Sequence, residues 1–454
     1  MKFDVVIVGG GITGAGIARD CAQRGLKSIV LDKSLPGHAT TAASSHLIHG
    51  GLRYLLYDRL TTHATAWDAG NIVRIAPHLV SRLPILWPVY KGHLHGIETV
   101  ETLLEEYDGF QRMKGGLEHL RMDPHATRNV IPGLVGEGLV GSIAFDEWWV
   151  DAVALVEENL AAAKRGGVEI RSNAKVEDLL RDEDGRVRGV KVNGEEIEAS
   201  VVVNAAGPWV DQIAALGGVD IPIRLRKGTH VVYDKPLTPV GLLVEAIDQK
   251  RHVFVLPHAG GTLIGPTDLE HDGSPDTIRS EKEEINYLID SVRRYLPDFP
   301  KDYASTRVGA RPILGQAVSE KLLSREFQVL DHKETDGIDG FVTIAGGKMS
   351  DYRLMAKDTV DAVCAKLGND APCSSHRETL AGEKITTIPH FERPYRPLKR
   401  FLRNHPRLRE LHALAYLGTG LFRHIFQWIF GGGPLVDSEA FREHYGYMPH
   451  EIDS

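Results

Sequence analysis

The chain begins with an unbroken apolar run, Val5 to Val8. It is closed by Gly9-Gly10-Gly11 and followed by apolar positions at helical spacing from about Ile12 to Gln23. A strand without polar alternation is one buried on both faces of a sheet. Gly25 ends the helix, and Lys27 to Asp32 gives a second strand with Asp32 at its end. Strand and helix alternate again later. Residues 166–179 read as a strand leading to Val176. Residues 201–214 are an apolar strand that breaks into Ala205-Ala206-Gly207 before a helix. Residues 339–368 give strand, Gly346-Gly347 and a long helix. Between these blocks, 221–275 reads as successive strands separated by turn residues. Asp146 and Glu147, beside Trp148-Trp149, read as the start of the helix in "VDAVALVEENLAAAKRGG". No internal repeat or low-complexity tract interrupts the pattern.

A length of 454 residues suits two or three domains. A net charge of −8 argues against nucleic acid as the main partner. The three cysteines, Cys21, Cys364 and Cys373, have no CxxC spacing, so neither a disulfide scaffold nor a metal site is expected. A reducing cytoplasm is the natural compartment. The first residues run directly into a strand and lack a signal-peptide pattern.

The first strand, turn and helix carry the chemistry. Gly9, Gly11 and Gly14 form GxGxxG: one glycine for the tight turn, one to admit a pyrophosphate, one for close helix–strand packing. The helix N-terminus then faces the phosphates. Asp32, about 20 residues on, suits the ribose hydroxyls of an adenosine. The later strand–helix blocks favour FAD over NAD. Small residues at 205–207 allow close approach to a cofactor, Val176 offers backbone groups to an adenine, and the helix after Gly347 could face a flavin. A nicotinamide domain would finish within about the first 150 residues.

The motifs "SSHLIHGGLRYL", "VVNAAGPWVDQ", "RKGTHVV", "GTLIGPTD", "GARPI" and "GGKMSDYRLMA" occur in this order. Over residues 3–375 the chain resembles the FAD-dependent glycerol-3-phosphate dehydrogenases of the D-amino-acid-oxidase-like superfamily. The first half is similar to the single-chain respiratory enzyme, and residues 336–373 to the catalytic subunit of the multi-subunit one. His46 stands where a lysine is common. The resemblance implies an α/β fold with a discontinuous Rossmann-type FAD-binding domain (1–75, 140–215 and 335–375). A mixed-sheet substrate domain (76–139 and 216–334) and a C-terminal helical segment (376–454) complete it.

For the cofactor, the reading names Gly9, Gly11, Ile12, Thr13, Gly14, Asp32, Lys33, Thr41, Ser44, Ser45, Leu47, His49, Val176, Ala205, Gly207, Gly347, Lys348, Met349 and Ser350. For the substrate the resemblance implies Arg53, Tyr54, Arg311 and Lys348, with Arg325 as a further phosphate candidate. Arginine suits a phosphate because its planar fork stays charged. His230 and His49 compete for the role of base, and Arg311 would polarise the developing carbonyl oxygen. The implied reaction is oxidation of glycerol 3-phosphate, with electrons passing to a quinone or an electron-transfer subunit. A related 2-hydroxy-acid or amino-acid enzyme, or a non-catalytic flavin scaffold, stands as the alternative.

The tail departs from that family. Residues 391–409 hold seven Arg or Lys against one acid, and 410–434 are rich in Leu, Phe and Ile. His412, Arg423, His424 and Gln427 disfavour a bilayer span, whereas a basic, aromatic segment suits an anionic membrane surface. Residues 391–434 are therefore expected to lie on the inner face of the cell membrane, with docking to a partner subunit or packing on the body as alternatives.

Overall fold

The N-terminal apolar run forms the strand Phe3–Val8, and in the computed structural model it is central to a parallel sheet. The structure describes residues 2–52, 55, 59–315, 327–387, 422, 425, 429 and 432–446. Successive side chains of a strand point to opposite faces. Here Val5 and Ile7 enter a core with the helices Ile12–Gln23, Ala152–Arg165 and Tyr352–Leu367. Val6 and Val8 enter a second core under the strands Val176–Arg181 and Val187–Val192. Each fully buried valine or isoleucine stabilises the sheet by about 1.5–3 kcal/mol. Phe3–Val8 pairs in parallel with Ser28–Leu31 and with Glu195–Asn204, and the latter pairs in parallel with Phe341–Ala345. Three segments remote in sequence thus build one dinucleotide-type sheet.

The second sheet is larger and mixed. In it Ile223–Tyr233 pairs antiparallel with Ser305–Leu314 and Gly261–Gly265, and Val80–Tyr90 pairs with Leu139–Val150. Residues 140–150, expected in the dinucleotide unit, are therefore a strand of this sheet. Asp146 and Glu147 lie inside that strand, buried, and start no helix. The helix N-cap is Asp151, whose Oδ1 accepts the Val153 and Ala154 amides. Glu147 is matched instead by Lys114 and by Tyr107 Oη–H at 2.6 Å, both from the helix Ile97–Lys114. Asp146 pairs with Arg82 and accepts the Leu117 amide at 2.9 Å.

Residues 376–380 and 435–445 of the C-terminal segment pack on the body. Arg19 donates to Ser375 O at 3.0 Å and to Glu378 O at 2.6 Å, and Leu380 enters the core beside the first helix. Leu435–Val436 pairs with Arg121–Met122, and the helix Ser438–Tyr445 buries Phe441 and Tyr445 against the larger sheet. Most of residues 391–434 lies outside the described residues. Among the described residues no helix is long and apolar enough to cross a membrane.

Candidate cofactor and substrate site

The glycine turn leaves a cradle that a side chain would fill. Gly9 has φ +102°, and a Cβ on it would lie 2.6 Å from Ala205 O. A Cβ on Gly14 would lie 1.9 Å from Gly9 O, which only glycine tolerates. Gly11 is open, with Thr41 Oγ1 the nearest atom at 3.6 Å. Ile12, followed by Thr13, opens the helix; no side chain of its N-cap residue caps it, and Ile12 N donates to Thr41 Oγ1 at 3.3 Å. Amides at a helix N-terminus, next to a turn without side chains, fit a pyrophosphate. Asp32 Oδ2 accepts the Gly10 amide at 2.7 Å and Oδ1 accepts the Ser34 amide at 2.8 Å, fixing the carboxylate at the mouth of the cradle. Lys33 pairs with Asp276 at 2.6 Å and lies 3.7 Å over the Trp209 ring.

Residues 40–50 join this cradle to the larger sheet. Thr40 Oγ1 donates to Ala310 O at 2.9 Å. Ser44 Oγ accepts the His46 amide, Ser45 Oγ meets His230 Nε2 at 2.9 Å, and Leu47 pairs with Trp149. The His49 amide donates to Ser350 Oγ at 3.0 Å, and the Gly50 amide to Tyr107 Oη at 2.7 Å. The buried Glu147–Lys114–Tyr107 group therefore holds the loop from below. Burial raises the pKa of Glu147 and of Tyr107, while Lys114 opposes the shift on Glu147.

His230 and Arg311 stand on the paired strands Ile223–Tyr233 and Ser305–Leu314, and the charge of Arg311 is felt at the imidazole. His230 is buried, and its Nδ1 has no hydrogen-bond partner. Burial first, then the neighbouring Arg311, His46, Arg307 and His258, lower its pKa to about 3. The ring is neutral at ordinary pH and has a lone pair to offer. Arg311 donates to Thr267 O at 2.8 Å and lies 3.6 Å from Asp268. Lys348 donates to Thr65 Oγ1 at 2.7 Å and pairs with Asp351 at 3.3 Å. It precedes the turn Met349–Asp351, which carries Ser350. Gly347, at φ +82°, would drive a Cβ to 2.4 Å from Met355 Sδ.

The remaining small residues flank the same region. Ala205 N bonds Val8 O, and Gly207 takes φ +56°. Val176 is buried and pairs with Val192. Arg53, Tyr54 and Arg325 lie outside the described residues. The sequence reading missed Thr65, Tyr107, Lys114, His258 and Arg307. None carries a local pattern; each matters through a partner distant in the chain.

A profile of the family described as FAD dependent oxidoreductase (DAO) matches residues 4–349. The chain belongs to the FAD-dependent oxidoreductases. An aerobic glycerol-3-phosphate dehydrogenase of Staphylococcus haemolyticus (strain JCSC1435) is 33% identical over 413 residues, which cover 86% of this chain and 73% of the relative. Among solved structures, the glycerol-3-phosphate dehydrogenase from Bacillus halodurans, complexed with FAD, superposes with a TM-score of 0.66 at 24% identity. That match covers 99% of this chain and 87% of the other. Glycine oxidase from Bacillus cereus ATCC 14579 gives 0.60 at 18% identity, covering 81% and 96%. These likenesses establish the fold and leave the substrate open. This oxidoreductase takes FAD as its cofactor, and the glycine cradle, helix N-terminus and Asp32 suit the dinucleotide.

Proposed function

We propose that this flavoenzyme oxidises sn-glycerol 3-phosphate to dihydroxyacetone phosphate and passes the electrons to a quinone or a partner electron-transfer subunit. The observation that carries the reading is the 33% identity to the staphylococcal aerobic glycerol-3-phosphate dehydrogenase. When bound, FAD supplies the hydride acceptor. The chain supplies charge, position and a proton acceptor. Arg311 and Lys348, with Arg53 and Tyr54, hold the phosphorylated polyol, and Arg311 polarises the oxygen at C2 as it becomes a carbonyl. His230 takes the C2 hydroxyl proton at Nε2, the nitrogen that meets Ser45. An anionic substrate beside Arg311 offsets the positive field that lowers the His230 pKa, and so strengthens the base when it is needed.

A carboxylate substrate could use the same cations, and the fold shared with glycine oxidase keeps a 2-hydroxy-acid or amino-acid enzyme as the second reading. Anaerobic titration of the FAD-loaded protein separates the two. Glycerol 3-phosphate bleaches the flavin and lactate or glycine does not; the reverse pattern overturns the first reading.

The route of the electrons belongs to the tail. We infer that residues 391–434 dock on an anionic membrane at the cytoplasmic face. Seven basic residues precede the apolar stretch. Phe422, Ile425 and Ile429, at helical spacing, are 72%, 46% and 58% exposed. Basic residues near such a surface contribute about 1 kcal/mol each.

A further inference from the structure

Side chains two and four residues apart line one face of a strand. Arg307, Gly309 and Arg311 do so on Ser305–Leu314, and the loop at Thr40–Ala43 crosses that face at Gly309. A Cβ on Gly309 would lie 2.8 Å from Ala43 Cβ. The loop therefore separates two compartments. Arg311 is on one side, within the site described above. Arg307 is on the other, in a cavity of about 490 Å³ shared with His38, His46, Trp149, Asp151 and His258.

Around His258 this second compartment has more hydrogen-bond donors than acceptors. Arg307 Nη1 lies 2.9 Å from His258 Nε2 and 3.2 Å from His46 Nε2. Trp149 Nε1–H donates to His258 Nδ1 at 3.2 Å. Both nitrogens of His258 thus face N–H groups, yet a neutral imidazole has only one lone pair. One of the two N–H groups must face another N–H. Among the described residues no carboxylate lies within ion-pair distance of Arg307. Asp151, the acid in the lining, has its Oδ1 turned to the Val153 and Ala154 amides. His46 is fixed by Val150 O and the Ala152 amide at Nδ1, its Nε2 also lies 3.3 Å from Ala42 O, and its ring stacks on Trp149. What the arrangement lacks is a negatively charged acceptor against the Arg307 guanidinium.

We propose that this cavity is a binding site for an oxyanion of the phosphate class, held by Arg307 with His258 and His46, and distinct from the substrate site. The ion accepts from the guanidinium and from whichever His258 nitrogen carries the proton, which removes the donor surplus. The volume lies within the range of small-molecule pockets, about 300–1,000 Å³. The Trp149 ring gives an apolar wall, so a phosphomonoester fits as well as the free ion. Occupancy also reaches the candidate base. Arg307 is among the charges that keep His230 from accepting a proton, and a bound anion offsets it. Asp151, which acts in the same sense on His258, is already part of that balance.

Calorimetric titration of the FAD-loaded full chain with inorganic phosphate tests the assignment, because its readout is binding and does not depend on which substrate the enzyme oxidises. Arg307→Gln is expected to weaken one binding event at least tenfold, while Arg311→Gln leaves that event in place. Phosphate binding by Arg307→Gln that matches the unsubstituted protein overturns the proposal, as does loss of all binding in Arg311→Gln alone. Should Arg307→Gln not fold, ¹⁵N-histidine spectra of the unsubstituted protein decide. Saturating phosphate shifts the His258 and His46 ring nitrogens, and unmoved resonances refute the site. Tighter binding of phenyl phosphate than of phosphate assigns an organic ester as occupant; equal binding assigns the free ion.

Discussion

Arg311 and His230 stand on one pair of strands, where Arg307 is the register partner of His230 and Arg226 that of Arg311, and their substitution should leave different signatures. Arg311→Ala keeps the cradle around Gly9, Gly11 and Gly14 intact, so FAD stays bound. Flavin reduction by glycerol 3-phosphate is expected to slow by about 10²–10³-fold, the usual cost of one donor to a developing oxyanion. Stopped-flow absorbance under anaerobic conditions measures it, and an unchanged rate removes Arg311 from the site. For His230 the informative variable is pH. The folded ring has a pKa lowered to about 3, by burial above all, so it is neutral through the working range. Protonation fills the lone pair that must accept the hydroxyl proton, so the reduction rate falls as pH drops through the pKa of the substrate complex. His230→Gln should slow reduction by about 10²–10⁴-fold and flatten that acidic limb. A retained limb at near-normal rate moves the role to His49.

At the scale of elements, the strand Leu139–Val150 and the helix Ile97–Lys114 hold the loop that bears His49 and Gly50. Lys114 donates to Asp146 O at 2.8 Å and to the carboxylate of Glu147, with no contact to solvent. Lys114→Met would leave Glu147 buried without its cation. Urea denaturation should show a loss of about 3–5 kcal/mol, the range for breaking a buried pair from one side. A change below 1 kcal/mol would mean that Glu147 is already neutral in the fold. The same elements mark the limit of what the sequence discloses. The β-α-β cradle was legible because its glycines, helix and Asp32 lie within thirty residues and each spacing has a mechanical reason. Asp146-Glu147 misled because an acidic pair before an apolar run imitates a helix start. The partners that explain them, Lys114, Tyr107 and Arg82, stand 32 to 64 positions away. Arg307, His258 and His46 come from three distant stretches, and nothing in any one of them announces the cavity they share.

For the molecule as a whole, the described end of the chain sets the form of the membrane test. A truncation near residue 385 would remove the pairing of Leu435–Val436 and expose the core positions of Phe441 and Tyr445, so it would confuse folding with docking. Replacing the seven basic residues of 391–409 by glutamine, with 432–446 kept, avoids this. The substituted protein is expected to retain FAD and substrate-driven bleaching, yet to lose co-sedimentation with vesicles of anionic lipid. Added salt should release the unsubstituted protein from the same vesicles. Equal sedimentation of the two proteins ends the membrane reading. One feature of the fold also governs how firmly its halves are joined. Residues 40–50 are tied to the larger sheet through Ala310 and Trp149, and to the dinucleotide unit through Ile12 and Ser350. Because Thr41 meets the helix end that suits the dinucleotide, a cofactor bound there would act as mortar in that joint. A ligand that binds only the folded state at a thousand times its Kd adds about 4 kcal/mol. The melting temperature of this enzyme is therefore a gauge of flavin supply: in a riboflavin-poor cell, the chain becomes fragile before it becomes idle.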